Sequence, residues 1–510
     1  MMDNTPDSSD SNDTNLKEFI YDAINRTDYR TNIIADKKTT CLYRDIPNLF
    51  RVLKKHFAEK KIRAEDCLAV ECTNSVPNAL VLLYLLTEGY SFLLLPPLYE
   101  THEKFGLTAS IPRFCHYRVA IVCSSDSTPM ACDRYLESSL HITKNEQYSG
   151  EQSMPSTCRQ KLYLKTSGSV ASPKMVMHAH AKLLQNALNC RERLSLECND
   201  RVAIPVPIFH MYGLGAAFLP AIAAGASIDM QAHANLLRYM ERERQFDPNV
   251  AFLTPTLCEM LLVGRRASRP YKLVVTAGDR IKAERFLAFE TRFGCLVNLY
   301  GSTEMGAIAA QTSQDPLEVR MTTVGKPMPG VQIRLNITST ERDSEINPVG
   351  TLWCQHAYGF EGYVMENGAK DDQDIPTQSE WFETRDMGRI RQDGYLEVFG
   401  RYDQSVNRSG LLVLFADIEQ AIETIEGIKR VIVVVKGESK RGQRLIAFCV
   451  PCAGTVVCNT HIRTACFRLL PRHAIPDEVI IVQTLPLLAN GKVDRQALVA
   501  MASEEQRQPR

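Results

Sequence analysis

The sequence predicts an α/β protein with a large N-terminal region of mainly parallel sheets and a small α+β domain at the C-terminus. From about residue 16 to residue 390, short apolar runs alternate with helical stretches, which is typical of parallel strands covered by helices. A strand-like run at residues 395–399 then gives way to polar residues at 400–404, where we predict a domain boundary. The 510 residues suffice for two or more domains with a large core.

The chain opens with residues 1–14, which are rich in Asp, Ser and Asn and predict a disordered tail. The most apolar stretch lies at residues 78–99, but Thr87, Glu88 and Gly89 interrupt it. A membrane-spanning helix needs about 20 uninterrupted apolar residues. We therefore predict a core helix at 76–86 and a buried strand at 91–95, and no membrane span.

The other elements are predicted from hydrophobic periodicity. In the N-terminal region, residues 15–399, strands are expected at 201–206, 250–253 and 273–276, and helices at 183–193 and 283–292. In the C-terminal domain, residues 405–510, helices are expected at 415–425 and 460–470, and strands at 431–435 and 445–450.

The charge of the chain is balanced, with 59 Lys and Arg residues against 59 Asp and Glu residues. This balance favours neither a nucleic-acid partner nor a membrane-surface role. The 16 cysteines are scattered and no secretory signal precedes them, so we expect a reducing, cytoplasmic location. Cys449 and Cys452 form a CxxC pair that is compatible with a metal site, but Cys449 ends a strand-like run, which favours a structural role.

A hydroxyl-rich turn at residues 166–174 follows an apolar run and ends in Lys174. Such a turn offers backbone N–H groups, hydroxyls and one cation to the same small volume, which is the chemistry that a polyphosphate requires. It lacks the G-x-x-x-x-G-K-[ST] pattern of a Walker A loop. Because similar turns are common on protein surfaces, its interpretation depends on the rest of the chain.

Four more segments follow the turn in a fixed order. They are residues 298–304 (NLYGSTE), 384–386 (TRD), 400–404 (GRYDQ) and 490–495 (NGKVDR). With these motifs the chain resembles the adenylate-forming superfamily, which comprises acyl- and aryl-CoA synthetases, luciferase-like enzymes and the adenylation domains of peptide synthetases. The resemblance runs from about Asp45 to Leu498.

The resemblance implies both an architecture and a reaction. The architecture is a large N-terminal part of several subdomains, a hinge at residues 400–404 with Asp403 as the hinge residue, and a mobile C-terminal lid. The alternative of a rigid interdomain turn stays open. The reaction joins a small carboxylic acid to ATP as an acyl adenylate and transfers the acyl group to a thiol. The implied cofactors are ATP and Mg²⁺, and the implied acceptor is coenzyme A or the phosphopantetheine of an acyl or peptidyl carrier protein.

The resemblance also assigns candidate residues to each step. The implied ATP-binding residues are Thr166, Ser167, Gly168, Ser169 and Lys174 at the phosphates, Gly278, Asp279, Tyr300 and Gly301 around adenine, and Asp386 and Arg401 at the ribose or phosphate. The implied catalytic residues are Thr303 at the α-phosphate, Glu304 as the Mg²⁺ ligand, His210, and Lys492, which would contact the α-phosphate and the attacking carboxylate.

Residues 207–213 resemble the acid pocket of acyl- and aryl-CoA ligases, and Phe209, His210, Met211 and Tyr212 are its candidate lining. No acidic side chain lies in this segment to pair with the ammonium of an amino acid, and an unpaired ammonium in an apolar pocket is unfavourable. The segment therefore favours an acid without an α-amino group. A core position for His210 is the structural alternative.

The sequence also departs from the family pattern in several places. Val170 and Ala171 replace the usual Thr-Gly, Met175 and Arg385 each stand where glycine is usual, and Asn407 stands where lysine is frequent. We interpret the chain as an ATP-dependent acid–thiol ligase. An amino-acid-adenylating enzyme, and a catalytically weakened relative that only binds a nucleotide or acyl adenylate, remain as alternatives.

Overall fold

The structure is a computed structural model. It describes residues 16–25, 31–97, 111–121, 131–148, 159–165, 174–266, 269–337, 348–370, 381–408, 411–439, 442–455, 457–487 and 493–504. Thr166, Ser167, Gly168, Ser169 and Lys492 therefore lie outside the described residues. The chain divides into two compact units.

The helices and strands follow one another along both units. The α-helices are α1 (Leu16–Asn25), α2 (Ile46–Glu59), α3 (Val76–Glu88), α4 (Cys132–Ser139), α5 (His180–Arg193), α6 (Leu219–Ala224), α7 (Leu236–Phe246), α8 (Pro255–Gly264), α9 (Ala283–Phe293), α10 (Leu317–Thr322), α11 (Phe415–Glu423), α12 (Asn459–Leu469) and α13 (Arg495–Glu504). The strands are β1 (Ile33–Ala35), β2 (Thr40–Leu42), β3 (Cys67–Glu71), β4 (Ser91–Leu95), β5 (Tyr117–Ile121), β6 (Leu140–Lys144), β7 (Lys161–Lys165), β8 (Met175–Ala179), β9 (Arg201–Ile204), β10 (Ser227–Met230), β11 (Val250–Leu253), β12 (Tyr271–Thr276), β13 (Gly294–Ser302), β14 (Gly306–Ala310), β15 (Lys326–Pro327), β16 (Val331–Asn336), β17 (Gly350–His356), β18 (Tyr363–Val364), β19 (Phe382–Ile390), β20 (Leu396–Arg401), β21 (Ser405–Arg408), β22 (Leu411–Leu414), β23 (Ile428–Ser439), β24 (Gly442–Pro451) and β25 (Glu478–Ile481).

The first unit comprises Met1–Arg334, Cys354–Phe382 and Ile390–Glu397. One sheet has the order β15-β14-β13-β12-β11-β9-β10-β1-β2, and a second has the order β18-β8-β7-β4-β3-β5-β6. The central strands of both sheets are parallel, and the antiparallel pairs lie at the margins. The predicted α/β class is therefore confirmed, with antiparallel edge strands added to the parallel centres.

The most apolar stretch folds as predicted into a core helix and a buried strand. The Ser75 side chain caps α3 by accepting a hydrogen bond from the Asn78 N–H, and Gly89 ends the helix in a left-handed conformation with φ of 74°. All five residues of β4 are buried. No helix in the described ranges is long and apolar enough to cross a membrane.

The strand that carries the NLYGSTE motif is longer than predicted. The sequence suggests a strand at 295–299 followed by a loop, but β13 continues to Ser302 and pairs with β14 in an antiparallel hairpin. Gly301 permits this pairing, because a Cβ atom there would lie 2.2 Å from the Gly306 carbonyl oxygen. The prediction that Tyr300 and Gly301 lie in a loop after the strand is therefore wrong, and only Thr303, Glu304 and Met305 form the turn.

The second unit comprises Leu335–Trp353, Glu383–Arg389 and Val398–Arg510. Its C-terminal part contains the sheet β23-β24-β25, the hairpin β21-β22 and the helices α11 and α12. The core includes Ile418, Val433, Cys449, Ile462 and Cys466. The predicted α+β domain is thus confirmed, while the proposed limits 15–399, 400–404 and 405–510 stay predictions.

Candidate active site

The turn at Thr303–Met305 is fixed by three hydrogen bonds from outside its own hairpin. The Thr303 carbonyl lies 2.7 Å from Nε2 of His178, and the Met305 carbonyl lies 2.6 Å from Nδ1 of His356. Between them, the Glu304 carbonyl accepts from the Phe360 N–H at 2.8 Å. Three successive carbonyl groups therefore have buried or half-buried donors, and the turn has a defined orientation.

Both histidine rings are neutral near pH 7. Burial lowers the pKa of His178 to about 4, against a smaller opposing effect of its bond to Thr303. Burial also lowers the pKa of His356. Because a carbonyl oxygen can only accept, each ring must carry its proton on the nitrogen that faces the turn.

Lys174 and Glu304 have a common neighbour, Tyr363 on β18. The Tyr363 hydroxyl donates to Oε1 of Glu304 at 3.1 Å, and the Lys174 ammonium lies 5.4 Å from the centre of the Tyr363 ring. Strand β18 pairs with β8, directly after Lys174, which explains why these residues meet. The structure thus brings the lysine that ends the 166–174 turn close to the carboxylate of the NLYGSTE motif.

Glu304 suits the magnesium role that the sequence suggests. Its side chain is partly exposed, and one of its carboxylate oxygens accepts from Tyr363. Magnesium prefers oxygen ligands, keeps several waters and binds proteins through one or two carboxylates together with substrate phosphates. Within the described ranges no group of three or more His, Cys, Asp or Glu side chains is arranged to hold a metal ion.

The loop after β12 provides an open backbone surface. Gly278 is exposed with φ of 92°, and a Cβ atom at this position would meet nothing within 4 Å. The neighbouring Asp279 is also exposed, and its carboxylate accepts from the Arg280 N–H at 2.7 Å. A flat ring can approach such a backbone closely, so the loop fits the adenine role.

Tyr300 and Gly301 lie on β13 just before the turn. Tyr300 is half-buried and packs against an apolar cluster that includes Val176, Met305 and Phe360. Gly301 is exposed. Part of the tyrosine ring is thus anchored in the protein while part remains accessible.

The four candidate acid-pocket residues have different environments. Phe209 is half-buried and His210 exposed, with their ring centres 4.5 Å apart. Met211 is 7% exposed and belongs to the main core. The Tyr212 hydroxyl contacts two strand-end carbonyls, those of Leu253 at 3.0 Å and Val275 at 2.8 Å.

His210 is thus the exposed residue of the four. Phe209 and Tyr212 are both half-buried and pack against the main core, to which Met211 belongs. The alternative of a core position for His210 is wrong, because its side chain is exposed.

In the second unit, Asp386 and Arg401 lie close together. Nη1 of Arg401 is 3.7 Å from Oδ1 of Asp386 and donates to the Thr384 carbonyl at 3.1 Å. Arg385 has an exposed side chain and a left-handed backbone with φ of 60°. The arginine therefore adopts a conformation that usually favours glycine at this position. The two residues that the resemblance assigns to the ribose or phosphate therefore lie close to each other.

Lys492 itself is outside the described residues, but the base of its loop is described. Leu487 and Val493 form a β-bridge, and the Asp494 N–H donates to the Pro486 carbonyl at 2.9 Å. Arg495 donates to Oε1 of Glu419 on α11 at 2.8 Å. The loop that carries Lys492 therefore starts and ends at fixed points of the C-terminal domain. Asp403 lies in a single 3₁₀ turn, Tyr402–Gln404.

Sequence reasoning missed His178, His356 and Tyr363. His178 left one signal, since it is a polar residue within the apolar run of β8, and such residues usually have a buried hydrogen-bond partner. The sequence around His356 and Tyr363 gives no such signal, and their partners are 51 and 59 residues away along the chain.

Family models agree with this arrangement. The model described as "AMP-binding enzyme" matches residues 125–364, and the model described as "AMP-binding enzyme C-terminal domain" matches residues 417–492. Together they cover more than half of the chain. The chain belongs to the adenylate-forming superfamily.

Individual members of the superfamily resemble about two thirds of the chain. An indoleacetate–CoA ligase of Aromatoleum aromaticum is 27% identical over 332 residues, which are 64% of this chain and 64% of that ligase. Tyrocidine synthase 3 of Brevibacillus parabrevis is 27% identical over 348 residues, which are 65% of this chain and 5% of the synthase. Neither match spans two thirds of its relative.

The fold match extends further than the sequence matches. The crystal structure of ATP-bound MatB from Rhodopseudomonas palustris superposes with a TM-score of 0.78, covering 97% of this chain and 99% of that one at 18% identity. At this identity the likeness shows the shared fold of the superfamily.

Proposed function

We propose that the protein is an ATP-dependent acid–thiol ligase that forms an acyl adenylate, releases pyrophosphate and passes the acyl group to a thiol. The observation that carries the proposal is the grouping of Lys174, Tyr363 and Glu304 beside Thr303. A cation, a carboxylate and a hydroxyl-bearing turn in one place are the groups that phosphoryl transfer requires.

In the first half-reaction, a carboxylate oxygen of the acid attacks the α-phosphorus of ATP. The bond from that phosphorus to the bridging oxygen breaks, and pyrophosphate leaves with the electron pair. Lys174 offsets charge on the departing phosphates, Thr303 donates to the α-phosphate and Lys492 holds the attacking carboxylate. A magnesium ion, held by Glu304, would supply further positive charge to the phosphates.

In the second half-reaction, a thiolate attacks the acyl carbon and AMP leaves with its phosphate oxygen. The acceptor is coenzyme A or the phosphopantetheine of a carrier protein. The indoleacetate–CoA ligase and the tyrocidine synthase represent relatives of different kinds, and both are consistent with the proposal.

The acid is an acyl or aryl acid that lacks an α-amino group. Among the candidate lining residues, His210 is exposed and Phe209 and Tyr212 are half-buried, and no acidic side chain lies in residues 207–213. An aromatic ring and a histidine suit an apolar acid better than a zwitterion.

Acid-dependent exchange of labelled pyrophosphate into ATP tests the proposal. Aryl, fatty and amino acids are offered in parallel, and we expect exchange with an aryl or fatty acid. Exchange that is clearly stronger with a free α-amino acid would replace our substrate class with the amino-acid class. Binding of ATP without exchange for any acid would indicate the weakened relative.

The Lys492→Ala variant tests the assignment of the lysine. We expect pyrophosphate exchange to fall by about 10²–10³, because one preorganised electrostatic contact at the reacting phosphate is lost. The thermal midpoint should not change, and Lys370→Ala, at an exposed lysine outside the motifs, serves as a control. Parental exchange in the folded Lys492→Ala variant would show that the assignment is wrong.

A further inference from the structure

The Thr303–Met305 turn differs from an ordinary hairpin turn in the hydrogen-bond partners of its carbonyl groups. Turn carbonyls usually face water. Here the carbonyls of Thr303, Glu304 and Met305 all point to donors in other parts of the first unit. The turn is thus held along its whole length by elements that are distant in the sequence.

The two histidine donors come from different strands. His178 lies on β8, within the sheet that contains β7 and β18, and its side chain is only 1% exposed. His356 is the last residue of β17. The turn itself belongs to the hairpin β13-β14 of the other sheet. The two rings therefore connect the hairpin tip to elements outside its own sheet.

The donor geometry suits a positioning role. Each ring N–H is aimed at a carbonyl oxygen at 2.6–2.7 Å, at the short end of the range for this kind of hydrogen bond. An imidazole is planar and has two side-chain torsions, so a buried ring fixes its N–H more closely than a flexible chain can. The bonds engage the backbone of the turn and not the side chains of Thr303 and Glu304, which are both partly exposed.

We infer that His178 and His356 are positioning residues that set the orientation of Thr303 and Glu304 for adenylation by holding the carbonyls on either side of Glu304. The catalytic part of this inference rests on the proposed function. The mechanical part, that the two rings order the turn, does not.

The test combines three variants of the full-length chain. His178→Leu removes the donor, and His178→Gln keeps an N–H donor at similar reach. His180→Leu is the matched control, because His180 is equally buried two residues away and neither of its ring nitrogens has a hydrogen-bond partner among the described residues. Hydrogen–deuterium exchange of the segment 302–306, pyrophosphate exchange and the thermal midpoint are measured for each.

We expect His178→Leu to speed deuterium uptake in the segment 302–306 and to lower the kcat of pyrophosphate exchange by about 10–100-fold, since a misplacement of about 1 Å can have an effect of this size. The KM for the acid should stay within about threefold of the parent, because the bond that is lost ends on the backbone of the turn, outside the candidate pocket segment 207–213. His178→Gln should restore most of the parental deuterium uptake and kcat, and His180→Leu should match the parent in the deuterium uptake of this segment and in kcat.

Parental deuterium uptake and parental kcat in a folded His178→Leu variant would overturn the inference. Equal losses in His178→Leu and His180→Leu would also overturn it, because they would indicate a general effect of replacing a buried histidine in this part of the chain. If His178→Leu does not fold, His356→Leu decides in the same way through the bond to Met305. If the parent shows no exchange with any acid, the proposed function fails, and deuterium uptake alone decides whether the rings order the turn.

Discussion

Arg385 occupies a backbone conformation that is unfavourable for its residue type. Its φ is 60°, in the left-handed region, and its side chain is exposed. A non-glycine residue loses roughly 1–2 kcal/mol there. The neighbouring Asp386 and Thr384 are both buried, so the surrounding strand imposes this conformation on Arg385.

We expect Arg385→Gly to raise the free energy of unfolding by about 0.5–1 kcal/mol, because relief of the strain exceeds the entropy that glycine adds to the unfolded chain. Thermal and denaturant unfolding measure the change. Glu383→Gly is the control on the same strand, since Glu383 is exposed and does not have a positive φ. It should lower the free energy of unfolding by a similar amount, and equal shifts of the same sign would contradict the strain account.

His180 is a residue whose burial is unfavourable. Its ring is 2% exposed and lies 5.7 Å from the Phe92 ring centre. Burial lowers its pKa to about 3. Above about pH 6.5 the ring is neutral in both the folded and the unfolded state. Between pH 6.5 and about 3, the unfolded chain binds a proton that the folded chain does not, so the free energy of unfolding decreases as the pH falls.

His180→Leu should raise the free energy of unfolding at pH 7.5 by about 1–3 kcal/mol, because it removes two buried nitrogens without partners. It should also make the decrease between pH 6.5 and 4 less steep. Urea unfolding of the parent and the variant across this range checks both effects. An unchanged pH dependence would show that His180 is protonated, or solvated, in the folded protein.

At the scale of single residues, the sequence names candidates for the chemistry of the site but does not name the residues that hold them in place. Lys174, Thr303, Glu304, Asp386 and Arg401 were all placed in motifs whose residue types suit phosphate and ribose, although their roles remain proposals. The support of Thr303 by His178 could not be predicted, because the two residues are 125 positions apart and nothing in either motif refers to the other. Long-range hydrogen bonds leave no periodic pattern.

At the scale of elements, the hairpin β13-β14 contains a strand end that the hydrophobic pattern does not predict. The apolar run predicted a strand that ends at residue 299, and the actual strand continues through three polar or small residues to Ser302. Backbone pairing with β14 holds these residues in the strand regardless of their side chains. Helix ends were predicted to within a few residues where a cap was present, as at Ser75 and Gly89 of α3.

The C-terminal domain contains a buried ion pair beside a half-exposed one. Arg408 is fully buried and donates to both carboxylate oxygens of Asp477 at 3.0 and 2.9 Å. The next residue, Glu478, accepts from Arg444 at 2.8 Å, and both of those side chains are partly exposed. The two pairs therefore allow a direct comparison of burial.

We expect Asp477→Asn to lower the free energy of unfolding of the C-terminal domain by about 3–5 kcal/mol, because it leaves the buried Arg408 charge without its counterion. Glu478→Gln should change it by less than about 1 kcal/mol, as for other exposed pairs. Chemical unfolding of the intact chain, followed by a probe in this domain, measures both. Similar effects of the two substitutions would contradict the role of burial.

At the scale of the whole molecule, the alternation of strands and helices predicted the α/β class and the separate C-terminal domain. Both follow from hydrophobic periodicity, which is a local property of the sequence. The division of the chain into units is harder to predict from the sequence. Two segments, Leu335–Trp353 and Glu383–Arg389, group with the second unit although they precede Val398. Contacts between segments, and not the order of segments, define that unit.

The proposed reaction also requires a movement that we place at Asp403. Lys492 is needed at the phosphate in the first half-reaction, and a thiol must reach the same region in the second. We expect Asp403→Pro, which fixes φ near about −65°, to impair one half-reaction far more than the other. Asp403→Ala, which removes the carboxylate and leaves φ free, is the control and should retain both. Pyrophosphate exchange and single-turnover transfer from preformed acyl-AMP report on the two steps, and equal loss in both, or none, would contradict a hinge at Asp403.

The central claim is that the chain converts ATP and a carboxylic acid into an acyl adenylate. The most direct measurement mixes the protein with ATP labelled at the α-phosphate, Mg²⁺ and the acid that gives the strongest exchange, with no thiol present. We predict that label accumulates in acyl-AMP in an amount close to that of the protein, and appears as AMP with an acyl thioester once coenzyme A or a carrier protein is added. Label that appears only as ADP, or that forms AMP independently of the acid, would contradict the account.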